Sequence, residues 1–156
     1  MKLDINVFGY IVMGFVLLMC LKIYQESETF NLKCIVSNVD GNKYCVRERN
    51  KIQLVADLLA KVTHKLKVLV KHLKNKYPDR DNVRRLHTGF KPKKIYEILP
   101  TSKYTAYSEN KGEKLAFCTT TTKHGTKLID ENTLTFVGIH EIAHIMTKSI
   151  GHKPEF

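Results

Sequence analysis

The chain has 156 residues, of which 43% are hydrophobic, and its formal net charge is +11. A chain of this length allows one domain with short attachments. The hydrophobic content is enough for a modest core, whereas the strongly basic balance indicates an anionic partner such as lipid headgroups or nucleic acid.

Residues 5–21 form an apolar run that only Asn6 interrupts. These 17 residues are near the lower limit for a helix that spans a bilayer, and Tyr10 and Tyr24 suit its interfaces. A cleaved signal peptide would have a shorter core and small residues before the cleavage site, which the sequence after Cys20 lacks. We therefore expect an uncleaved single-pass N-terminal anchor and a membrane localisation.

Residues 22–49 are predicted to form a linker and a β-hairpin, because Asp40-Gly41 lies between two β-prone runs. Cys34 and Cys45 flank the turn and can face each other. The other two cysteines lie in the apolar run and far along the chain, so no disulfide framework is evident. Two free thiols in a reducing compartment are favoured over a bridge.

Residues 50–77 are predicted to form a long, basic, amphipathic helix. Apolar residues recur from Ile52 to Leu73 in alternating steps of three and four, which is a helical period. Asn50 is the predicted N-cap, with Gln53 in the capping-box position. We expect the apolar stripe to pack against the rest of the domain, and a coiled-coil dimer is the alternative.

The positive charge is concentrated in residues 61–94, which hold 12 Lys and Arg residues and two Asp residues, a balance of +10. Such a surface can bind anionic lipid headgroups or the phosphates of nucleic acid. Lipid is favoured, because an anchor is near and the aromatic residues are not interleaved with the charges for base stacking. A solvated helix face is the remaining interpretation.

Short β-prone segments follow at Ile95–Leu99, Tyr104–Tyr107 and Lys114–Cys118, separated by turn residues. They predict a small sheet ahead of the last helix. Asp130 or Asn132 is the predicted N-cap of that helix.

The last helix contains the sequence His140-Glu141-Ile142-Ala143-His144 within an apolar run. Residues four apart share one helix face, so the imidazoles of His140 and His144 can bind one zinc ion. Glu141 is rotated by about 100° and flanks the metal, where it can serve as the general base of a metalloprotease. The apolar surroundings predict a buried helix, in which a metal provides partners for these polar groups.

The third ligand comes from beyond this helix. His152 lies eight residues after His144, and Gly151 favours a left-handed C-cap from which the chain can turn back to the metal. Glu155 is the competing donor, because two His and one Glu also form a catalytic zinc site. His152 is favoured.

These residues, together with Phe156, resemble the active-site segment of the SprT/WLM group of small zinc peptidases. The arrangement of the whole chain is also similar to peptidase-like proteins of large DNA viruses. The resemblance implies a zincin fold, Zn²⁺ bound by His140, His144 and His152, and Glu141 as the base. It also implies that the strand before the active-site helix pairs with extended substrate, which nominates Lys114, Leu115, Ala116, Phe117 and Cys118.

The predicted fold is α+β, with an N-terminal transmembrane helix and a small zincin-like domain whose core spans 95–156. The predicted function is that of a membrane-anchored zinc endopeptidase, which hydrolyses peptide bonds of a protein or peptide substrate with a zinc-activated water. Tyr104 and Tyr107 are candidate oxyanion donors.

Two alternatives belong to other classes. The first is a non-catalytic membrane adaptor with a structural zinc whose fourth position is closed by Glu155 or Cys118. The second is a nucleic-acid-associated protease, since the SprT/WLM group includes enzymes that act on DNA-bound proteins.

Overall fold

A computed structural model of the protein describes residues 7–29, 32–122 and 124–156, with the backbone alone for residues 25–29. The chain divides into two compact units, Met1–Asn31 and Leu32–Phe156. The described residues form four α-helices and a five-stranded mixed sheet, which confirms the predicted α+β class.

The first unit contains helix α1, Val7–Thr29. Its 18-residue segment Val7–Tyr24 is exposed along its whole length and is long and apolar enough to cross a membrane. The predicted anchor at residues 5–21 overlaps this segment, and the first two residues of the prediction lie outside the described part of the chain. An apolar surface on all sides is typical of a helix that lies in lipid.

The second unit begins with the predicted hairpin. Strands β1, Leu32–Val36, and β2, Lys43–Arg47, are antiparallel, and Gly41 in the turn has a φ of 68°, which favours glycine. Cys34 lies directly opposite Cys45 in this register, and a disulfide joins them. The preference for two free thiols is therefore wrong, because the strand register brings the two side chains together.

The sheet is completed by β3, Ile95–Glu97, β4, Ala106–Glu109, and β5, Lys114–Phe117. Its strand order is β1-β2-β3-β5-β4, so β1 and β4 are the edge strands. The inner pairs β2–β3 and β3–β5 are parallel, whereas β4 is antiparallel to β5.

Three helices of this unit share one hydrophobic core with the sheet: α2, Ile52–Lys76; α3, Asp81–Gly89; and α4, Glu131–Met146. The core contains alternate residues of β2 and β5, which point to the same face of the sheet: Tyr44, Val46, Leu115 and Phe117. A smaller cluster lies on the other face of the sheet. It contains Ala116, which alternates with Leu115 and Phe117 along β5, together with Ile98, Cys118 and Tyr107.

Helix α2 buries its apolar stripe, including Val55, Leu59 and Leu66, in this core, which confirms packing within the domain. Burial of each such Leu contributes about 1.5–3 kcal/mol. The predicted capping box is wrong, because the helix begins after Lys51 and has no side-chain cap. The Gln53 amide instead donates to the Val36 carbonyl of the hairpin, at 3.1 Å.

Helix α4 approaches α2 closely at Gly138. A Cβ atom at this position would lie 3.0 Å from Cδ1 of Leu66, so a larger residue would force the two helices apart. The close packing fixes α4, and with it the side chains that it carries.

Candidate metal centre

Helix α4 has a well-formed N-terminus. The Asp130 carboxylate accepts hydrogen bonds from the backbone N–H groups of Asn132 and Thr133, both at 3.0 Å. Of the two predicted caps, Asp130 is therefore the one used. The helix that begins here carries His140, Glu141 and His144.

Three histidines converge at the other end of α4. The ring centroids of His140 and His144 are 5.0 Å apart, and the His152 ring lies 5.0 Å from the first and 4.8 Å from the second. One ring nitrogen from each residue can be chosen so that all lie within 4.8 Å of one another. For tetrahedral zinc with Zn–N of about 2.0–2.1 Å, these nitrogens would be about 3.3 Å apart, so small side-chain adjustments are sufficient.

The return of the chain to His152 differs from the prediction. Helix α4 ends at Met146, with extended Thr147 as its C-cap, so Gly151 is not the helix cap. Gly151 nevertheless adopts the left-handed conformation, with φ of 80°, immediately before His152. The loop from Thr147 to Gly151 accounts for the long spacing between His144 and His152.

Lys111 secures this loop from the β4–β5 turn. Its Nζ donates to the carbonyls of His144 at 3.0 Å, Thr147 at 2.9 Å and Ser149 at 2.6 Å. A cation at a helix C-terminus also stabilises the negative end of the helix dipole.

Glu155 secures the loop from its other side. Its carboxylate accepts from the backbone N–H groups of Lys148 at 2.8 Å and Ser149 at 3.1 Å, and Arg85 lies 3.5 Å away. The two backbone hydrogen bonds lower the pKa of Glu155 to about 2. Glu155 is thus bound to the loop backbone, and the group of side chains that could hold a metal contains His152 rather than Glu155.

Glu141 is buried beside the histidine cluster, with 6% of its surface exposed. Burial raises the pKa of Glu141, and a hydrogen bond from the backbone N–H of Ser108 partly opposes this effect. A carboxylate that is buried and accepts one backbone hydrogen bond is suited to exchange a proton with a bound molecule.

Phe156 packs against the whole cluster. Its ring centroid lies 5.0 Å from that of His140, 4.4 Å from His144 and 4.8 Å from His152, and it stacks on His144. The ring thus covers one side of the three imidazoles. Burial, followed by the nearby charges of His140, His152 and Lys111, lowers the pKa of His144, so its imidazole is kept in the neutral form that binds metals.

The histidines and Glu141 line a cleft of about 870 Å³. Its opposite wall is the edge strand β4, with Ala106, Tyr107 and Ser108. Large apolar side chains border the cleft, and they are exposed: Tyr104 by 54%, Phe136 by 72% and Ile150 by 85%. We call these three residues the apolar rim.

The predicted substrate-binding strand, Lys114–Cys118, corresponds to β5, which lies between two other strands of the sheet. Residues Lys114, Leu115, Ala116 and Phe117 pair with β4 on one side, and the last three also pair with β3 on the other. The Cys118 N–H donates to the Thr105 carbonyl. No backbone edge of β5 is left for a substrate, whereas the outer edge of β4 faces the cleft.

The remaining predicted residues lie either in the cleft or in the smaller hydrophobic cluster on the other face of the sheet. Tyr104 and Tyr107 both line the cleft, where they remain candidate oxyanion donors. Cys118 is buried and its thiol donates to the Thr120 carbonyl, so this thiol is not part of the histidine cluster. Neither Cys118 nor Glu155 therefore closes the fourth position of a metal at this centre.

The donor set fits a transition metal that accepts imidazole ligands, the class to which Zn²⁺ belongs. Sequence reasoning missed three residues that shape this centre: Ser108 beside Glu141, and Lys111 and Arg85 at the loop. The positive φ angles of Asn110, Lys111 and Gly112 mark a turn, and the Asn-Lys-Gly sequence is a signal for it. Nothing local in the sequence indicates that this turn meets α4.

No protein-family model and no solved structure matches the chain. The chain is 25% identical over 126 residues to a protein of Acanthamoeba polyphaga mimivirus described as "Uncharacterized protein R325". The match covers 78% of this chain and 64% of the length of that protein. Its description gives no activity, so the chemistry of this centre rests on its own residues.

Proposed function

We propose that the protein is a membrane-anchored zinc endopeptidase of zincin-like architecture. The observation that carries the proposal is the convergence of three imidazoles, one buried carboxylate and the edge strand β4 on one cleft. His140, His144 and His152 would hold Zn²⁺. When bound, zinc would supply Lewis acidity and lower the pKa of a bound water.

The protein groups perform the remaining steps. An extended peptide pairs with the outer edge of β4, which brings its scissile carbonyl alongside Glu141. The Glu141 carboxylate accepts a proton from the attacking water and then passes it to the leaving amine. Tyr104 and Tyr107 are within the cleft to donate to the oxygen on which negative charge develops.

The apolar rim indicates the class of substrate that the proposed endopeptidase would prefer. Three large apolar side chains exposed at one cleft lose their contact with water when a substrate side chain covers them. The preferred substrates are therefore unstructured segments with a large apolar residue next to the scissile bond.

The decisive test is Glu141→Gln, because the amide cannot accept the proton. We expect cleavage of an unstructured protein to fall about 10²-fold or more while bound zinc is unchanged. Glu131→Gln is the matched control on the same helix, since Glu131 pairs at the surface with Lys65 at 2.7 Å. Equal cleavage by Glu141→Gln and wild type, each loaded with zinc, would contradict the proposal.

The second candidate is a non-catalytic membrane adaptor with a structural zinc. The observation that favours it is Phe156, whose ring covers one side of all three imidazoles. Zinc-loaded wild type that cleaves no member of a broad set of unstructured proteins, yet unfolds when zinc is removed, would support the adaptor.

A further inference from the structure

A basic surface runs along α2 and continues beyond α3. Lys67, Lys71 and Lys74 are exposed and share one helix face, since they lie four and three residues apart. Nζ of Lys74 lies 3.0 Å from Nε2 of His87 on α3. Arg84 is one turn before His87, and Nζ of Lys91 donates to the carbonyl of neighbouring Thr88. We call Lys67, Lys71, Lys74, Arg84 and Lys91 the basic ridge.

The acidic residues of the domain neutralise little of this ridge. Glu131 pairs instead with Lys61 and Lys65, and Glu155 pairs with Arg85. Asp81 pairs with Arg84, and the charge of Lys67 contributes to the lowered pKa of Asp40 in the hairpin turn. Among the described residues, no ion pair to Lys71, Lys74 or Lys91 is present. The sequence from Leu58 to Lys76 contains no acidic residue at all.

The chemistry of the ridge suits phosphate groups presented on a surface. Lysine side chains several ångströms apart repel one another, and an array of anions relieves this repulsion. Val68, which adjoins Lys67 and Lys71 on α2, is 55% exposed and adds an apolar contact suited to the boundary between headgroups and acyl chains. Tyr77 is near the ridge, but its ring is covered by Arg80 at 4.5 Å and is not free to stack on a base.

The same chain carries helix α1, which is long and apolar enough to cross a membrane. A segment in the bilayer keeps the domain at a high effective concentration near headgroups, so even weak contacts of the ridge are populated. Each basic residue near an anionic leaflet strengthens binding about fivefold. We propose that the basic ridge binds the anionic phospholipid headgroups of a membrane surface. This proposal does not depend on the metal centre or on peptidase activity.

The test uses the full chain reconstituted in nanodiscs of phosphatidylcholine, with or without phosphatidylserine. Mass spectrometry measures how fast individual lysines are acetylated. We expect phosphatidylserine to slow acetylation of Lys67, Lys71 and Lys74 by about fivefold or more, and high salt to reverse this protection. Exposed Lys43 and Lys153, outside the ridge, serve as internal controls and should be unaffected.

A charge variant provides the second measurement. Lys67→Gln, Lys71→Gln and Lys74→Gln together should abolish the protection of Lys91 by phosphatidylserine, whereas the matched triple change at Lys33, Lys43 and Lys153 should retain it. Equal acetylation rates in the two lipids, or equal slowing of ridge and control lysines, would overturn the proposal. Protection by duplex DNA in phosphatidylcholine discs, without any by phosphatidylserine, would overturn it in favour of nucleic acid.

Discussion

At the scale of single residues, the centre depends on which group completes the pair of histidines on α4. His152 has its ring 4.8 Å from that of His144, whereas the Glu155 carboxylate is satisfied by two backbone N–H groups. The Glu155 carboxylate can approach the cluster only by giving up these hydrogen bonds. His152 is therefore the better placed of the two candidate ligands.

His152→Ala should lower zinc affinity by more than about 100-fold, because removal of a ligand costs more than the 10–100-fold typical of an outer-shell residue. Competition with a chromogenic chelator measures this change. His124→Ala is the matched control, since His124 is exposed and outside the cluster. Zinc affinity equal to that of wild type would exclude His152 as a ligand.

At the scale of elements, the segment 147–156 acts as a strap that is fixed at two points. Lys111 binds its first carbonyls, and Glu155 binds its first N–H groups next to Arg85. Between these contacts, Gly151 turns the chain so that His152 faces α4. The position of His152 is thus set by residues from the β4–β5 turn and α3.

Glu155→Ala should loosen the strap and lower zinc affinity about 10–100-fold, although Glu155 binds no metal. Glu155→Gln keeps one acceptor oxygen for the backbone N–H groups and should cost less. The same chelator competition checks both changes, with Glu48→Ala as a control, because Glu48 is an exposed carboxylate that pairs with Lys33 on the hairpin. An affinity unaltered by Glu155→Ala would show that the strap does not position His152.

The edge strand β4 and the apolar rim form the proposed substrate-binding part of the cleft. Phe136→Ser and Ile150→Ser should each lower kcat/KM about tenfold for peptides with a large apolar residue, because less apolar surface is buried on binding. Peptides with small residues should be affected less. Val39→Ser, an exposed apolar residue in the hairpin turn, is the control. Equal losses for both peptide classes would argue against a specificity role of the rim.

At the scale of the whole molecule, α1 and the domain at Leu32–Phe156 differ in whether their apolar side chains are exposed or buried. The helix exposes apolar side chains along Val7–Tyr24, whereas the domain buries its apolar residues in one core between helices and sheet. A signal sequence can pass the same test of length and hydropathy as an anchor, so the retention of the helix decides between them.

The full chain should resist extraction from membranes with alkaline carbonate, and a chain that starts at Leu32 should be extracted. Burial of an 18-residue apolar helix in lipid is effectively irreversible, whereas contacts made by charged groups are weakened by salt. Immunoblotting of pellet and supernatant measures the distribution. Release of the full chain, or an N-terminus found beyond Tyr24, would contradict the anchor.

The sequence by itself determined the features that depend on neighbours along the chain. The apolar run at 5–21, the helical stripe of α2 and the hairpin around Gly41 all follow from local period and turn chemistry. The same holds for His140, Glu141 and His144, because helix geometry alone decides that residues four apart share a face. These patterns alone do not predict which substrate or which metal the chain would bind.

The tertiary structure decided the features that depend on distant segments. The strand order enclosed β5 between two partners and left the edge of β4 beside the histidines, although both strands are similar β-prone segments. The antiparallel register paired Cys34 with Cys45, and Arg85 and Lys111 fixed the strap that presents His152. Such contacts join residues far apart in sequence, so no local propensity encodes them; they form only when the helices and the sheet bury their shared core.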